Sequence, residues 1–219
     1  MLLFKNQLQD KVLIGALEAR GLDNTADSPL LEERLSRLLD QRSNALNPDE
    51  DAFRKACRDM MRIGSYKPTG RGKPASEYLL RAASESNFPR INTAADINNY
   101  ISLAYLVPIS LWDTDKIASD SWLFRTGADG EQFVFNPSGQ TIGLKDLVSG
   151  YAVAGGEETP VVSPVKDCQQ TKTDDGTRNI AVAVYYPAGW DGKPALSDIM
   201  KEFAELMETV SGQVEYAIV

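Results

Sequence analysis

A chain of 219 residues, 42% hydrophobic and 25% charged, is long enough for one domain with a modest extension and has the composition of a soluble globular protein. It contains no histidine, which excludes Ser-His-Asp and Cys-His catalysis and any metal site that needs imidazole. A net charge of −8 argues against attraction of the whole surface to nucleic acid, and two cysteines, Cys57 and Cys168, form neither a disulfide framework nor a CxxC pair.

Apolar runs such as residues 12–17 fall far short of the ~18 residues that a membrane span requires. The first residues turn charged too soon for a signal peptide. No acidic cluster has a spacing specific for magnesium. The expectation is a cytoplasmic protein with reduced thiols, no metal and no cofactor.

The first sixty residues read as helices, a segment (1–61) that extends or caps a main domain over 62–219. Leu8, Val12, Leu13 and Leu17 recur at helical spacing, and Gly21 offers a stop. A second helix starts at Ser28–Pro29, with Leu31, Leu35, Leu38 and Leu39 as its apolar stripe. A third starts at Asn47–Pro48 and buries Ala52, Phe53, Ala56, Cys57 and Met60. A turn-rich segment, GSYKPTGRGKP over 64–74, leads into two more helices near residues 75–84 and 94–107.

Charge is unevenly spread along this stretch. Residues 54–90 carry 9 basic and 3 acidic side chains, against 6 and 10 before them and 8 and 18 after them. One reading is a solvated basic helix and loop. The other is a phosphate-contacting strip built from Arg54, Lys55, Arg58, Arg62, Lys67, Arg71, Lys73 and Arg81.

From residue 121 the pattern changes to short β-branched or aromatic runs: SWLFRT, EQFVFN, TPVVSPV, NIAVAVYY and QVEYAIV. TGADGEQ and NPSGQT read as hairpin turns. One amphipathic helix interrupts the strands, capped by Ser197 and closed by Gly212, with Ile199, Phe203, Leu206, Met207 and Val210 facing inward. Helices, then strands, then a helix on the sheet give an α+β domain.

The most specific stretch runs from Ala94 to Ile117. Its Asp96, Asn99, Tyr100, Pro108, Trp112, Asp113, Asp115, Lys116 and Ile117 resemble the pattern of the B3/B4 editing domain of phenylalanyl-tRNA synthetase beta chains. The segments Arg125–Glu131 and Thr177-Arg178-Asn179 resemble that family's following hairpin and central-strand motifs, and the likeness runs from about residue 62 to 187. The resemblance implies a three-layer β/β/α fold. It also implies aminoacyl-tRNA quality control: hydrolysis, in trans, of an amino acid wrongly attached to tRNA. An activated ester needs only a positioned water and donors for the oxyanion, so the lack of histidine does not forbid this.

The resemblance places Asn99 and Ser110 in catalytic positions, and Asn98, Asp113, Gln169, Thr171 and Ala183 around the substrate. Arg62, Lys67, Arg71, Lys73 and Arg81 would contact RNA. Three positions depart from the family: Asn98 stands for its Thr, Ser110 for its His, and Ala183 for the Glu that reads a tyrosine hydroxyl. Loss of that carboxylate argues against tyrosyl-tRNA as substrate. Asp96 and Asp113 also read as caps or braces, and Tyr100 and Trp112 as core. The expected partner is tRNA or aminoacyl-tRNA, bound weakly and salt-sensitively, without membrane association. The alternatives are a non-catalytic RNA- or small-ligand-binding module on the same fold, and a protein-interaction domain that uses the N-terminal helices. Convergence of Asn99, Ser110 and Gln169 on one cavity separates chemistry from binding.

Overall fold

The computed structural model describes residues 3–219. Two four-stranded sheets lie face to face, and helices cover the outer side of one of them. The first sheet, in the order β1-β4-β7-β8, is built from β1 (Phe4–Asn6), β4 (Ser121–Thr126), β7 (Val148–Ala154) and β8 (Glu157–Val162). The second, β10-β2-β9-β3, is built from β2 (Val12–Arg20), β3 (Ile109–Asp113), β9 (Asn179–Pro187) and β10 (Gln213–Ile218). A separate hairpin joins β5 (Gln132–Val134) to β6 (Thr141–Gly143).

Alternation along a strand sends successive side chains to opposite faces. On β9, Tyr185 packs edge-on to Phe124 of the first sheet at 6.0 Å, whereas its neighbour Tyr186 meets Phe53 of α2 (Pro48–Asp59) on the helical side at 5.5 Å. Between the sheets Phe4, Trp112, Trp122 and Phe124 form an aromatic cluster with ring centroids 5.0–6.4 Å apart. Trp112 is fully buried there as core. The arrangement is the β/β/α layering that the resemblance implies.

One expected helix is a strand. Leu8, Val12, Leu13 and Leu17 have helical spacing, yet residues 12–20 form β2, paired with β9 on one side and β10 on the other. Val12, Ile14, Ala16 and Leu17 are all buried, because one face meets the first sheet and the other meets α5 (Leu196–Glu208). A strand buried on both faces shows no polar–apolar alternation, so periodicity misreads it. Gly15 permits the close approach of α5, since a Cβ there would lie 2.4 Å from Met200 Sδ. The residues before the Gly/Pro-rich segment are thus two strands followed by two helices.

The later helices follow their sequence signals. α1 (Pro29–Arg42) and α2 both start with proline at the first turn, and Asn47 with Glu50 completes a capping box on α2. Phe53 and Cys57 are buried on α2 and Met60 at its C-cap, whereas Ala52 is exposed and Ala56 only partly buried. Burial pushes the Cys57 thiol well above its ordinary pKa, so it is an inert core residue. α3 (Ala75–Ser84) and α4 (Thr93–Tyr105) fall where expected. α5 begins one residue before Ser197, with Ala195 at its N-cap and no side-chain cap bond, and it ends at Glu208 ahead of Gly212. NPSGQT turns β5 into β6, but TGADGEQ links β4 to a strand it does not pair with.

Arg42 joins three of these helices. It donates to the Leu103 and Ala104 carbonyls at the end of α4 (3.3 and 2.7 Å) and to Glu50 of α2 (2.5 Å), while itself buried. The α4 C-cap, Leu106, sits in the left-handed region (φ 56°) without glycine, and the helix carbonyls just before it find Arg42 as donor. Arg42→Met is expected to lower stability by about 3 kcal/mol, since it strands those carbonyls and Glu50. Urea unfolding at neutral pH measures this, and a loss below about 0.5 kcal/mol would show that water substitutes for the guanidinium.

Candidate functional site

Ser110 lies between the two sheets, fully buried, opposite Ala183 in the β3–β9 register. Its Oγ donates to the Ser163 carbonyl (3.0 Å) and lies 3.1 Å from the Tyr185 hydroxyl. Asp167, just beyond β8, completes this group. Its Oδ2 accepts from the Leu111 backbone N–H at 3.4 Å, and its Oδ1 is buried with no hydrogen-bond partner. Burial raises the Asp167 pKa to about 7, only partly offset by the Ser110 hydroxyl, the Leu111 N–H and the charges of Lys172 and Lys166. Burial and the neighbouring Asp167 also raise the Tyr185 phenol well above its ordinary range. Ala183, fully buried, contributes a methyl group to the same layer and no polar atom.

The other expected site residues do not join this group. Asn99 is half-buried on α4, and its Oδ1 accepts from Asn98 Nδ2 at 3.4 Å, while Asn98 Oδ1 is buried and unpartnered. Gln169 Oε1 is likewise buried without a partner, and Thr171 Oγ1 returns to the Cys168 carbonyl. No hydrogen bond links Asn99, Ser110 and Gln169. Asn99 lies on α4, and Ser110 is enclosed between the sheets on β3.

Asp113 braces the turn after β3. Its carboxylate accepts from Thr177 Oγ1 (2.7 Å) and from the Asp115 N–H (2.9 Å), and Asn179 donates to Asp115 at 2.8 Å. The turn after β3 and the start of β9, two of the segments that carry the resemblance, thus clasp each other. The third does the same internally. Arg125 pairs in a fork with Glu131 (2.7 and 3.0 Å) and lies 3.8 Å over the Tyr151 ring. The Arg125 guanidinium holds the Glu131 carboxyl down at about 2. Asp96 likewise accepts from Arg90 and from the Ile91 N–H, locking the approach to α4.

The basic strip divides into two parts. Arg54 and Arg58 are tied to Glu77, Lys55 to Asp51, Arg62 to Asp59 and Arg81 to Glu85. Arg62 and Arg81, expected at RNA, are each in an exposed ion pair with such a neighbour. Lys67, Arg71 and Lys73 have no ion-pair partner among the described residues.

Of these three, Arg71 lines an open cleft of about 900 Å³ between the turn-rich segment and the β5–β6 hairpin, while Lys67 and Lys73 follow the lining residues Tyr66 and Gly72 in sequence. Tyr66, Tyr78, Phe135, Arg71 and Lys166 line it, together with hairpin residues, and no carboxylate does. The Tyr66 and Tyr78 hydroxyls donate to the Gly72 and Gly70 carbonyls (2.9 and 3.2 Å), which fixes the turn that carries Arg71. Gly72 must be small for this, as a Cβ would lie 2.8 Å from the Tyr66 hydroxyl. Lys166 Nζ sits 5.3 and 5.5 Å from the Tyr78 and Phe135 ring centroids, and its pKa is lowered by burial first and then by Lys172. None of the residues expected around the substrate borders this cleft. Tyr78, Phe135, Tyr185 and Asp167 were not singled out from sequence. The nearest signal is Gln169 and Thr171, expected around the substrate, which follow Lys166 and Asp167 by a few residues.

Among the described residues no helix is long and apolar enough to cross a membrane, and no group of three or more acidic, cysteine or histidine side chains is poised to hold a metal. Residues 61–190, more than half the chain, match the B3/4 domain family. The chain is 28% identical over 118 residues to the phenylalanine–tRNA ligase beta subunit of Carboxydothermus hydrogenoformans, covering 53% of this chain and 14% of that protein. It is 31% identical over 104 residues to that of Bartonella henselae, covering 47% and 12%. It therefore spans only about one seventh or less of the length of these relatives. Among solved structures, an N-terminal fragment of the phenylalanyl-tRNA synthetase beta subunit from Pyrococcus horikoshii aligns over 99% of this chain and 50% of its own, with 10% identity and a TM-score of 0.39. On its sequence match, the chain is a member of the B3/4 domain family.

Proposed function

We propose that this protein associates with tRNA or aminoacyl-tRNA in trans, as a quality-control module whose RNA-contacting surface is the cleft between the turn-rich segment and the β5–β6 hairpin. One observation carries the reading. In a chain of net charge −8, this cleft presents Arg71 and Lys166 with no lining carboxylate, and the residues next in sequence to its Tyr66 and Gly72, Lys67 and Lys73, have no ion-pair partner among the described residues. Such a patch attracts phosphates locally while the rest of the surface repels them, so binding is weak and strongly salt-dependent. Relatives over half the chain are named as beta subunits of phenylalanine–tRNA ligase, which agrees with tRNA as the RNA. The test is retention of tRNA at low salt and its loss when Lys67, Arg71 and Lys73 are neutralised.

Hydrolysis is the second reading. The observation in its favour is the enclosed group of Ser110, Tyr185 and Asp167, which has an unpartnered carboxylate oxygen able to orient a water. Against it stands the burial of Ser110, which has no hydrogen bond to Asn99. Release of amino acid from a panel of charged and mischarged tRNAs, with Asp167→Asn as control, decides it. Acceleration of one or two members, lost in the variant, would establish a deacylase. No acceleration with tRNA still bound would leave a binding module.

A further inference from the structure

We infer that the cleft seats one unpaired nucleotide, its base stacked on the aromatic wall and its phosphate held by Arg71 and Lys166. This rests on the RNA-binding reading above and names the ligand group that the cleft accepts. Three features of the cleft point to it. Its volume, about 900 Å³, is that of a small-molecule site and takes a single splayed nucleotide rather than a duplex. Its walls offer Tyr78 and Phe135, whose π-faces accept any base, beside two cations. Its two sides are built stiffly.

The Tyr66 and Tyr78 hydroxyls pin the Arg71 turn from one side. On the other, Phe135 is held by its N–H donating to the Gln140 carbonyl (3.0 Å) and by Lys172 Nζ donating to its own carbonyl (2.7 Å). Asn136 closes the hairpin by accepting from the Gln140 N–H at 3.0 Å. Lys166 rests against the two rings while the cleft is open, and a flexible ammonium can leave them for a phosphate oxygen. Its burial beside Lys172 makes an incoming anion the group that relieves its unfavourable surroundings.

The experiment uses the full chain with three probes: AMP, inorganic phosphate and intact tRNA. Binding of AMP is followed through the ring resonances of Tyr78 and Phe135. Gly143→Leu is the blocking variant. Gly143 lines the cleft on β6, and a Cβ there meets nothing within 4 Å, so a leucine adds bulk at the cleft wall without a clash with the fold. Phe135→Ala removes the stacking surface instead. AMP is expected to shift the Tyr78 and Phe135 resonances saturably and more tightly than phosphate by about tenfold, with both effects lost in Gly143→Leu and weakened about tenfold in Phe135→Ala. Phosphate binding as tightly as AMP would overturn the inference, because the cleft would then hold an anion without reading a base. AMP binding unchanged by Gly143→Leu, or absent, would overturn it as well. The tRNA arm is read separately. If tRNA binds the wild-type chain and Gly143→Leu alike, the RNA-binding reading stands and the seat is rejected; if AMP is seated but tRNA is not retained at low salt, the RNA-binding reading fails.

Discussion

Asp167→Asn is expected to raise stability by about 4 kcal/mol at pH 8.5 and by only about 1.5 kcal/mol at pH 5. The enclosed carboxyl titrates near 7 in the folded chain, against an ordinary value of 3.8. Between those values the folded state holds a proton that the unfolded state has released, so stability falls as pH rises through that window, and the cost is complete above about 7. Asparagine keeps an acceptor for the Leu111 N–H and never ionises. Few other groups change charge in the same interval, because the chain has no histidine. The groups that face the carboxyl are Ser110, Tyr185, Lys166 and Lys172. Urea unfolding of both proteins from pH 5 to pH 8.5 makes the comparison. A wild-type stability that is flat or rises over this interval, or a variant that keeps the same slope, would show that Asp167 is ionised at no cost in the folded chain.

The second large effect concerns RNA. Replacing Lys67, Arg71 and Lys73 together by alanine is expected to weaken tRNA binding by about 10- to 100-fold near 50 mM salt. Each cation that contacts a phosphate contributes about one unit to the slope of log Kobs against log salt, so the triple variant is expected to lose roughly two to three units. Arg62→Ala and Arg81→Ala are the matched controls, since Asp59 and Glu85 already occupy those side chains. Equal losses in the controls would mean that the whole basic stretch, rather than the cleft, meets the RNA.

Much of the architecture was legible in the residues. Proline at the first turn and an Asn–Glu capping box mark α1 and α2, and β-branched runs mark β4, β8, β9 and β10. β2 was read as a helix because burial on both faces erased its alternation. β7 was missed for a related reason. Gly150 sits in its middle, where a Cβ would come within 2.7 Å of Phe124 and Val162, and a glycine inside a short apolar run reads as a break.

The site was less legible. Motif spacing located Asp113, Thr177, Arg125 and Glu131, but these hold the fold together through one another. The group around Ser110 depends on Tyr185 and Asp167, brought in from two other parts of the chain, and no local pattern announces that meeting. The cleft has the same character. Arg71, Phe135 and Lys166 come from three separate segments, and the basic count alone could not tell which cations already had acidic partners.

The most direct test of tRNA association through this cleft is filter binding of tRNA to the wild-type chain over roughly 50 to 200 mM salt. The expected result is micromolar retention at the low end, falling steeply and linearly in log–log form as salt rises. No retention at the lowest salt, or retention that ignores salt, would contradict it.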